Sequence, residues 1–457
     1  MNHDEKLGLK IDTALLDELT QNAEKTNRIP LDLYQKYSVK RGLRNDDGTG
    51  VLVGLTEIGD VHGYIIDEGQ IVPVDGRLEY RGINISDITR GFQAERRYGF
   101  EEVSYLLLFG TLPTGHQLQQ FTTLLGENRA LPDGFTENMI LKAPSREIVN
   151  KLARSVLVCY SYDPNPDDLA LKNVLRQSIE LIARFPTMVA YGYQAKSHYF
   201  DGKSLFIHRP QKDLCTAENL LHLVRPDSKF TQLEAETLDL ALVLHAEHGG
   251  GNNSSFTTHV VSSTGTDTYS AIAAAVGSLK GPLHGGANLK VLEMMENIKG
   301  AVKDWQDDEE VSAYLAKILR KEAFDGQGLI FGIGHAVYTL SDPRAVLLKD
   351  KAKELAADKG RSEEFDLYER IARLTPEVFA RVKNSSKVIS ANVDFYSGFV
   401  YDMLDIPREL YTPIFCVARI AGWCAHRIEE LISGGRIIRP AYRSVLHNKE
   451  YVPIVGR

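Results

Sequence analysis

Apolar residues recur at helical spacing along most of this chain, and that periodicity limits the fold more than any other feature of the sequence. The pattern is clearest in VSYLLLFGTL, NKLARSVLVCYSY, LKNVLRQSIELIARFPTMVAYGYQ, LEAETLDLALVLHAEH and ELYTPIFCVARIAGWCAHRIEELI. Apolar side chains three and four residues apart lie on one face of a helix, which can then pack against a core. The sequence therefore predicts a mainly α protein. Pro186 and Pro413 lie inside these stretches, and each predicts a kink or a new helix start.

The stretch that begins at Gly50 departs from this pattern. Its sequence, GVLVGLTEIGDVHGYIIDEGQIVPVDGRLEYRG, is rich in β-branched residues and in glycines of the kind found in turns. This composition predicts a few short β-strands near the N-terminus. Strand signals nearly vanish after it, so the predicted fold class stays mainly α.

The chain has 457 residues, which predicts one large domain or two unequal ones. Its apolar runs are shorter than the roughly 18–20 residues that span a bilayer, and its first residues, MNHDEKLGLK, do not resemble a signal peptide. The four cysteines have neither zinc-site nor disulfide spacing. We therefore expect a cytoplasmic protein with reduced thiols and no membrane partner. The cysteines are Cys159, Cys215, Cys416 and Cys424.

The net charge of −8 argues against nucleic acid as a partner, because phosphate binding needs a basic surface. If the substrate is an anion, its site must concentrate positive charge locally, because the net negative charge of the chain repels anions. Arginines inside apolar stretches are therefore informative.

A histidine, His284, lies between a proline and two glycines in GPLHGGANLKVLEMMENI. The apolar spacing after it predicts a helix that begins between Gly286 and Asn288. The positive end of a helix disfavours imidazolium, so a neutral ring could donate a hydrogen bond to a developing enolate oxygen. The glycines would let a ligand approach. The alternative is a packing histidine in a turn.

A second histidine, His335, follows glycines in FGIGHAVYTLSDPRA. Asp342 and Pro343 predict a helix N-cap followed by proline at the first helical position. Arg344 then lies in the first turn, where the helix dipole disfavours a cation. The alternative is an ordinary surface arginine.

Two charged residues interrupt apolar runs. Asp394, in SANVDFYSGFVYDML, is either a helix cap or a carboxylate whose surroundings adjust its pKa for base chemistry. Arg419, in TPIFCVARIAGW, shares a helical face with Phe415, Gly422 and His426. A buried arginine needs an anion, which is either an internal carboxylate or that of a substrate.

His245 and His248 are three residues apart in LVLHAEHGGGNNSSF and could face the same side of a helix end. A metal site was considered there, but the order H-A-E-H is not that of zinc proteases and further ligands are scarce. The glycines also lack the G-K-[ST] of a phosphate-binding loop. We expect no metal and no nucleotide at this place.

Together these stretches resemble the citrate synthase family. H-x-x-H-G-G-G-N, G-P-L-H-G-G-A-N, G-I-G-H-A-V-Y-x-x-x-D-P-R, N-V-D-F-Y-S-G and the tail A-R-x-x-G-W-x-A-H…I-I-R-P occur in the family's order, from about Gly76 to Tyr442. The resemblance implies a two-domain, all-helical fold. It implies a large domain from residues 1–285 and 393–457, with 1–60 as an N-terminal extension, and a small domain from residues 286–392. It also implies a homodimer.

The activity that the resemblance implies is condensation of acetyl-CoA with oxaloacetate, followed by hydrolysis of the thioester to citrate and CoA, with no cofactor. Asp394 matches the family's general base. His284 matches the histidine that hydrogen-bonds the thioester oxygen, and His335 matches the one that polarises the oxaloacetate carbonyl. General acid–base groups contribute roughly 10²–10⁴-fold each.

Further residues match the family's substrate ligands. His248, Arg344 and Arg419 match oxaloacetate ligands, and Arg439 matches an arginine that reaches the partner subunit's site. Lys387 matches a basic position that contacts CoA. The planar guanidinium of arginine can donate two parallel hydrogen bonds to a carboxylate, and oxaloacetate has two carboxylates.

Two features leave alternatives open. Thr339 stands where many members have a basic CoA contact, so that contact is in doubt. V-Y-T-L-S-D-P-R and I-I-R-P look somewhat more like 2-methylcitrate synthases, which use propionyl-CoA, and one methylene changes binding by only about 1–3 kcal/mol. A 2-methylcitrate synthase and a dual-substrate enzyme that accepts both acyl-CoAs are therefore alternatives. A non-catalytic relative and a metal hydrolase at His245 and His248 are further alternatives. The former is disfavoured because both catalytic histidines, the aspartate and all three arginines are present.

Overall fold

A computed structural model describes residues 13–68, 70–433 and 435–456 of the chain. The chain divides into two compact units, residues 1–54 and residues 55–457. This division does not test the predicted boundaries at residues 285/286 and 392/393, which stay a prediction.

The first unit is small and open. It contains helices α1 (Thr13–Thr26) and α2 (Asp32–Lys36), followed by a 3₁₀ turn at Arg41–Leu43. An isolated β-bridge joins Arg44 to Gly50. None of the described residues of this unit whose exposure is known is buried, so it has no core of its own.

The second unit begins with a three-stranded antiparallel sheet, in the region where the sequence predicted strands. Strand β1 (Gly59–Asp67) pairs with β2 (Gln70–Tyr80), and β2 pairs with β3 (Ile83–Asn84). The β1–β2 register shifts between His62 and Tyr64. Gly63 lies at that shift, and a Cβ there would overlap the carbonyl of Val337. The sheet therefore packs its backbone directly against the loop that carries His335, one of the predicted site residues.

Helices form the rest of this unit, so the predicted fold class is confirmed. They are α3 (Ile85–Ala94), α4 (Phe100–Phe109), α5 (Gly115–Glu127), α6 (Ile148–Tyr162), α7 (Leu171–Asp201), α8 (Thr216–Val224), α9 (Gln232–His245), α10 (Asn253–Ser262), α11 (Thr268–Lys280), α12 (Ala287–Ala301), α13 (Asp308–Leu319), α14 (Pro343–Asp358), α15 (Ser362–Lys383), α16 (Val393–Met403) and α17 (Tyr411–Ile432). Shorter turns are a π-helix at Thr136–Leu141 and 3₁₀ turns at Arg408–Leu410 and Ile454–Gly456.

Helix α17 runs through the core. It packs against α4, α6, α7, α9, α10 and α11, and most of its side chains, polar ones included, are buried. A helix buried all round must find partners for its polar side chains inside the protein or in a ligand.

Proline has different effects at the two predicted breaks. Pro413 lies in the first turn of α17, where its missing N–H costs nothing. Pro186 lies inside the 31-residue helix α7, so the prediction of a new helix start at Pro186 was wrong. Its neighbours are buried by tertiary packing, which outweighs the lost hydrogen bond.

None of the helices in the described ranges combines the length and the apolar character needed to cross a lipid bilayer.

Candidate active site

Most of the predicted site residues lie close to helix ends, and the fold brings these ends together. His284 lies just before α12, whose N-cap is Gly286, as predicted. Asp342 caps α14 through its side chain, which accepts a hydrogen bond from the backbone N–H of Arg344 at 3.0 Å. His248 follows the end of α9.

The segments of His335 and Asp394 are joined by backbone hydrogen bonds. Gly334 N–H donates to the carbonyl of Ser390 at 2.7 Å, and Asn392 N–H donates to the carbonyl of Gly332 at 2.8 Å. The side-chain amide of Asn392 donates to the carbonyl of Gly334 at 2.8 Å. These bonds form a short β-bridge that holds the two segments side by side.

The ring of His335 has a defined orientation. Its Nδ1 accepts hydrogen bonds from the backbone N–H groups of Val337 at 3.0 Å and Tyr338 at 3.2 Å. The neutral ring therefore has its proton on Nε2. The ring stacks on Tyr338, with centroids 4.8 Å apart, and meets the His248 ring edge-on at 5.2 Å.

His248 is a neutral ring with an unused nitrogen. Burial lowers its pKa well below the usual value, and the positive charge of Arg344 lowers it further. Its Nε2 is buried and has no hydrogen-bond partner among the described residues. A ligand could therefore take a hydrogen bond at this atom.

His284 is also neutral at physiological pH. Burial lowers its pKa to about 4, assisted by the charge of Arg419. Its Nε2 lies 3.3 Å from the hydroxyl of Ser254. That hydroxyl also accepts from the indole N–H of Trp423 at 3.0 Å.

The glycines after His284 are needed for packing within the chain. A Cβ on Gly285 would overlap the carbonyl of Leu279, and one on Gly286 would lie 3.3 Å from the carbonyl of Pro282. Both glycines thus let the loop close on its own chain, and that they also make room for a ligand stays a prediction.

Asp394 lies in the first turn of α16, but it does not cap the helix. Asn392 is the N-cap, and its side chain accepts from the N–H of Asp394 at 3.0 Å. The capping alternative was therefore wrong. Burial raises the pKa of Asp394 to about 6, partly offset by the positive charge of Arg344. A carboxyl group with that pKa is ionised at neutral pH and is more basic than an exposed one.

Arg344 is buried, only 4% exposed, so the surface-arginine alternative was wrong. Its Nε and Nη2 donate to the two carboxylate oxygens of Asp342 at 3.0 and 2.8 Å. Asp342 also accepts from the N–H of Val393 at 3.1 Å. One carboxylate thus caps α14, orients the arginine and holds the start of α16, and the sequence pattern showed only the cap.

Arg419 is fully buried in α17, and two of its three guanidinium nitrogens make no hydrogen bond among the described residues. Its Nε donates to the carbonyl of His245 at 2.6 Å, and its guanidinium lies over the ring of Phe415 at 4.8 Å. Nη1 and Nη2 have no hydrogen-bond partner among the described residues. Burial lowers the pKa of Arg419 to about 10, yet the group stays charged at neutral pH. Two buried charged donors indicate an anion-binding site.

His245 does not share the exposure of His248. Its Nδ1 is bonded to the carbonyl of Ala241 at 2.8 Å, and its ring lies edge-on to Phe415 at 4.7 Å. The two histidines therefore make different contacts, and His245 is part of the packing that positions Arg419.

Arg439 and Lys387 are not part of this cluster. Both are exposed, Arg439 in the segment after α17 and Lys387 in the loop before α16. No hydrogen bond or ion pair in the described chain joins either side chain to the cluster. Thr339 donates to the carbonyl of Gly63 at 3.1 Å, so it fixes the sheet to the His335 loop.

Sequence reasoning missed Glu247. Its side chain is fully buried, and its Oε2 lies 3.0 Å from Nε2 of His426. The charge of Glu247 raises the pKa of His426 to about 9. A Cβ at Gly422 would overlap Oε2 of Glu247. The helical face shared by Arg419, Gly422 and His426 was a signal for this residue, because its glycine leaves room for a side chain from elsewhere.

Comparison with known proteins identifies the family. Residues 48–441 match the family described as "Citrate synthase, C-terminal domain".

The chain belongs to the citrate synthase family.

Relatives within the family are similar over nearly their whole length. The citrate synthase of Synechocystis sp. is 35% identical over 384 residues, which are 84% of this chain and 89% of that protein. The 2-methylcitrate synthase of Shewanella oneidensis is 32% identical over 381 residues, 83% of this chain and 92% of that protein.

Solved structures of citrate synthases have the same fold. The enzyme from Pyrobaculum aerophilum superposes with a TM-score of 0.71 at 30% identity, covering 89% of this chain and 93% of that chain. The enzyme from Thermoplasma acidophilum, solved with carboxymethyl coenzyme A and oxaloacetate, gives a TM-score of 0.74 at 26% identity, covering 91% and 99%. The predicted family and its acyltransferase class are confirmed.

Proposed function

We propose that this member of the citrate synthase family condenses acetyl-CoA with oxaloacetate and hydrolyses the resulting thioester to citrate and CoA. The observation that carries the proposal is the half-buried carboxyl group of Asp394. Desolvation raises its pKa to about 6, although the charges of Arg344 and Arg419 beside it act to lower that pKa. Both arginines are buried, and Arg419 has two unpaired donors. A base beside a dicarboxylate site is what this condensation needs.

Oxaloacetate is proposed to bind first. Nη1 and Nη2 of Arg419 would pair with one carboxylate, and Arg344, oriented by Asp342, would contact the other. His248 would contribute its unpartnered Nε2. The ketone oxygen would then accept from the Nε2–H of His335, because the backbone N–H groups of Val337 and Tyr338 donate to Nδ1 and leave the ring proton on Nε2.

The carboxylate of Asp394 would remove a proton from the methyl group of acetyl-CoA. The thioester oxygen gains negative charge in that step, and neutral His284 would donate a hydrogen bond to it. The hydroxyl of Ser254 donates its one proton to Oδ1 of Asn252 at 2.8 Å. Nδ1 of His284 would therefore be the donor once that hydroxyl turns to donate to Nε2 of His284, 3.3 Å away. The enol carbon then attacks the ketone carbon, His335 protonates the resulting alkoxide, and water cleaves the thioester.

The second candidate is 2-methylcitrate synthase activity with propionyl-CoA. It is favoured by the Shewanella oneidensis relative of that name, whose identity is close to that of the citrate synthases. Steady-state kinetics with each acyl-CoA and oxaloacetate test the choice. We expect kcat/KM to favour acetyl-CoA, and a preference for propionyl-CoA would reverse the assignment.

Several finer points belong to the same proposal. The enzyme is a cytoplasmic homodimer, and Arg439, exposed on its own chain, reaches the partner subunit's site. Lys387, which is also exposed, contacts CoA. The large domain comprises residues 1–285 and 393–457, and the small domain comprises residues 286–392. The small domain closes over oxaloacetate before acetyl-CoA reacts. No cofactor takes part beyond the CoA substrate.

A further inference from the structure

A second histidine cluster extends from Glu247. His426 pairs with Glu247 through Nε2, and its Nδ1 lies 3.1 Å from Nε2 of His259. Nδ1 of His259 lies 2.8 Å from a carboxylate oxygen of Glu430. Each ring thus has one nitrogen against a carboxylate and the other against its neighbour.

These partners determine where the ring protons lie. Nδ1 of His259 bears a proton, because the carboxylate of Glu430 beside it only accepts hydrogen bonds. Nε2 of His426 is in ion-pair contact with Oε2 of Glu247, but neither atom makes a hydrogen bond among the described residues. The lone pair on Nε2 of His259 then faces Nδ1 of His426 at 3.1 Å, so either a proton on Nδ1 or a metal ion lies between the rings.

Glu429 supplies a third atom at the same place. It lies three residues after His426 on α17, so the two side chains share a helical face. Its Oε2 is 3.7 Å from Nδ1 of His426, is buried, and has no hydrogen-bond partner among the described residues. Its Oε1 accepts from the N–H of Glu57 at 2.7 Å, which fixes the carboxylate.

The spacing and the surrounding groups are those of a metal site. One ligand atom from each of His259, His426 and Glu429 lies within 4.8 Å of the others. The His259–His426 and His426–Glu429 atoms are 3.1 and 3.7 Å apart, and tetrahedral ligands at about 2.0–2.2 Å from one ion are about 3.3–3.6 Å apart. Metal-binding histidines characteristically donate their other N–H to a carboxylate. Glu430 accepts from Nδ1 of His259 in this way, and Glu247 lies 3.0 Å from Nε2 of His426.

The local charges are compatible with a bound cation. Glu247, Glu429 and Glu430 surround the two imidazoles. Arg81 acts electrostatically on Glu429 and Glu247, and Arg419 acts on Glu247, so the two arginines offset part of this negative charge.

A glycine loop lies beside the cluster. A Cβ on Gly250 would lie 3.5 Å from Cγ2 of Thr56, 3.6 Å from Cε1 of His426 and 3.7 Å from Nε2 of His259. The next residue, Gly251, is exposed, so the cluster lies close to the protein surface at this loop.

We propose that Nε2 of His259, Nδ1 of His426 and Oε2 of Glu429 bind one divalent transition-metal ion of the Zn²⁺ class in place of a shared proton. Two histidines and one glutamate match the ligand set of open zinc sites, with water in the fourth position. The site is separate from the substrate residues and takes no part in the condensation. Glu247 connects the two places, because it contacts His426 and acts electrostatically on Arg419.

Metal titration of chelator-treated full-length protein tests the proposal without any assay of turnover. Co²⁺ followed by visible absorption should give the bands of a four-coordinate ion, saturating at one equivalent per chain, and Zn²⁺ should displace it. Zn²⁺ binding by calorimetry should show the same stoichiometry. Absence of saturable binding at micromolar protein would mean that a proton alone joins the rings, and would overturn the proposal.

Variants assign the binding to this cluster. Glu429→Gln and His259→Gln should each weaken Zn²⁺ binding by at least about 100-fold, and Glu430→Gln by about 10–100-fold. The matched control is His198→Gln, because His198 is exposed and lies outside the cluster; its affinity should equal that of the parent. Circular dichroism checks folding, and His259→Gln serves if Glu429→Gln fails to fold. Unchanged affinity in a folded ligand variant would place the ion elsewhere and overturn the proposal.

Discussion

The carboxyl group of Asp394 is half-buried at the start of a helix, and its pKa depends on opposing effects of desolvation and neighbouring charge. Asp394→Asn keeps the shape but removes the base. We expect kcat to fall by about 10²–10⁴-fold, while oxaloacetate affinity changes little because the proposed base acts on the acyl-CoA. Steady-state kinetics and oxaloacetate calorimetry measure the two effects. An equal loss of oxaloacetate affinity would contradict the assigned role.

The same residue predicts the acid limb of the pH profile. Because its pKa is raised to about 6, the ionised, active form is lost as the pH falls through that value. Below about pH 6, kcat/KM should therefore fall about tenfold per pH unit. His284 and His248 have lowered pKa values, so both stay neutral across this range. The residual activity of the Asp394→Asn variant should not show this decrease at low pH. If the decrease persists in the variant, a group other than Asp394 causes it.

Arg419 and Arg427 provide a matched pair on one helix. Arg419 has two unpartnered donors, whereas Arg427 donates to Thr268, Ser262 and Thr266 at 2.7–3.1 Å. Arg419→Lys should raise KM for oxaloacetate by about 10–100-fold, because an ammonium cannot bind a carboxylate through two parallel bonds. Arg427→Lys should lower the melting temperature and leave that KM unchanged. Similar KM values for both variants would exclude Arg419 as a substrate ligand.

At the residue scale, sequence identified side chains whose chemistry is unusual for their surroundings. His284, Asp394 and Arg419 were found because each stands in an apolar or glycine-rich context. Glu247 was not found, since its partner His426 lies in a distant helix and the ion pair exists only after folding. Asp342 was recognised as a cap only, because its bonds to Arg344 and Val393 depend on side-chain orientation and on a second segment.

Among the elements, α17 shows how a helix can be specified by what packs against it. Gly422 lowers its intrinsic helix propensity, yet Gly422→Ala would place a Cβ on Glu247 and on the carbonyl of Ala246. We expect a loss of about 1–3 kcal/mol in the free energy of unfolding. Gly277→Ala in α11 is the control, because nothing lies within 4 Å of its Cβ position; it should gain up to about 1 kcal/mol. Chemical denaturation measures both, and a stabilised Gly422→Ala would contradict the packing.

Helix starts were predictable and long-helix continuity was not. Local signals fixed the start of α12 and of α14, because caps act within one turn. Pro186 shows the limit, since α7 continues through it for reasons of burial that no local pattern contains. The sheet was predicted as a region, but its contact with the His335 loop depends on tertiary structure.

For the whole molecule, the mainly α fold class could be predicted from the helical spacing of apolar residues. The family could be predicted because five motifs occur in the family's order. The division at residues 54/55 lies close to residue 60, the predicted end of the N-terminal extension. The first unit has few apolar residues that pack, so its sequence contains little periodic signal for its helices. The larger two-domain layout and the dimer remain proposals.

Subunit mixing tests the proposed dimer. Asp394→Asn and Arg439→Ala chains should each be nearly inactive alone. If Arg439 acts in the partner's site, a heterodimer has one site with both changes and one site with neither. Co-refolding the two variants should therefore restore activity, approaching one intact site per heterodimer. Equal mixtures that stay inactive, with heterodimers verified by tag capture, would place Arg439 in its own chain's site or outside catalysis.

The short β-bridge between the segments of His335 and Asp394 limits how this scaffold can be changed. Those segments share three hydrogen bonds that involve backbone atoms, so a substitution that shifts one segment also shifts the other. The loop of His284 is not tied to either by that bridge. An engineer who wants the protein to accept bulkier acyl thioesters should therefore vary the His284 loop first, because changes there leave the relative placement of the carbonyl-activating ring and the base intact.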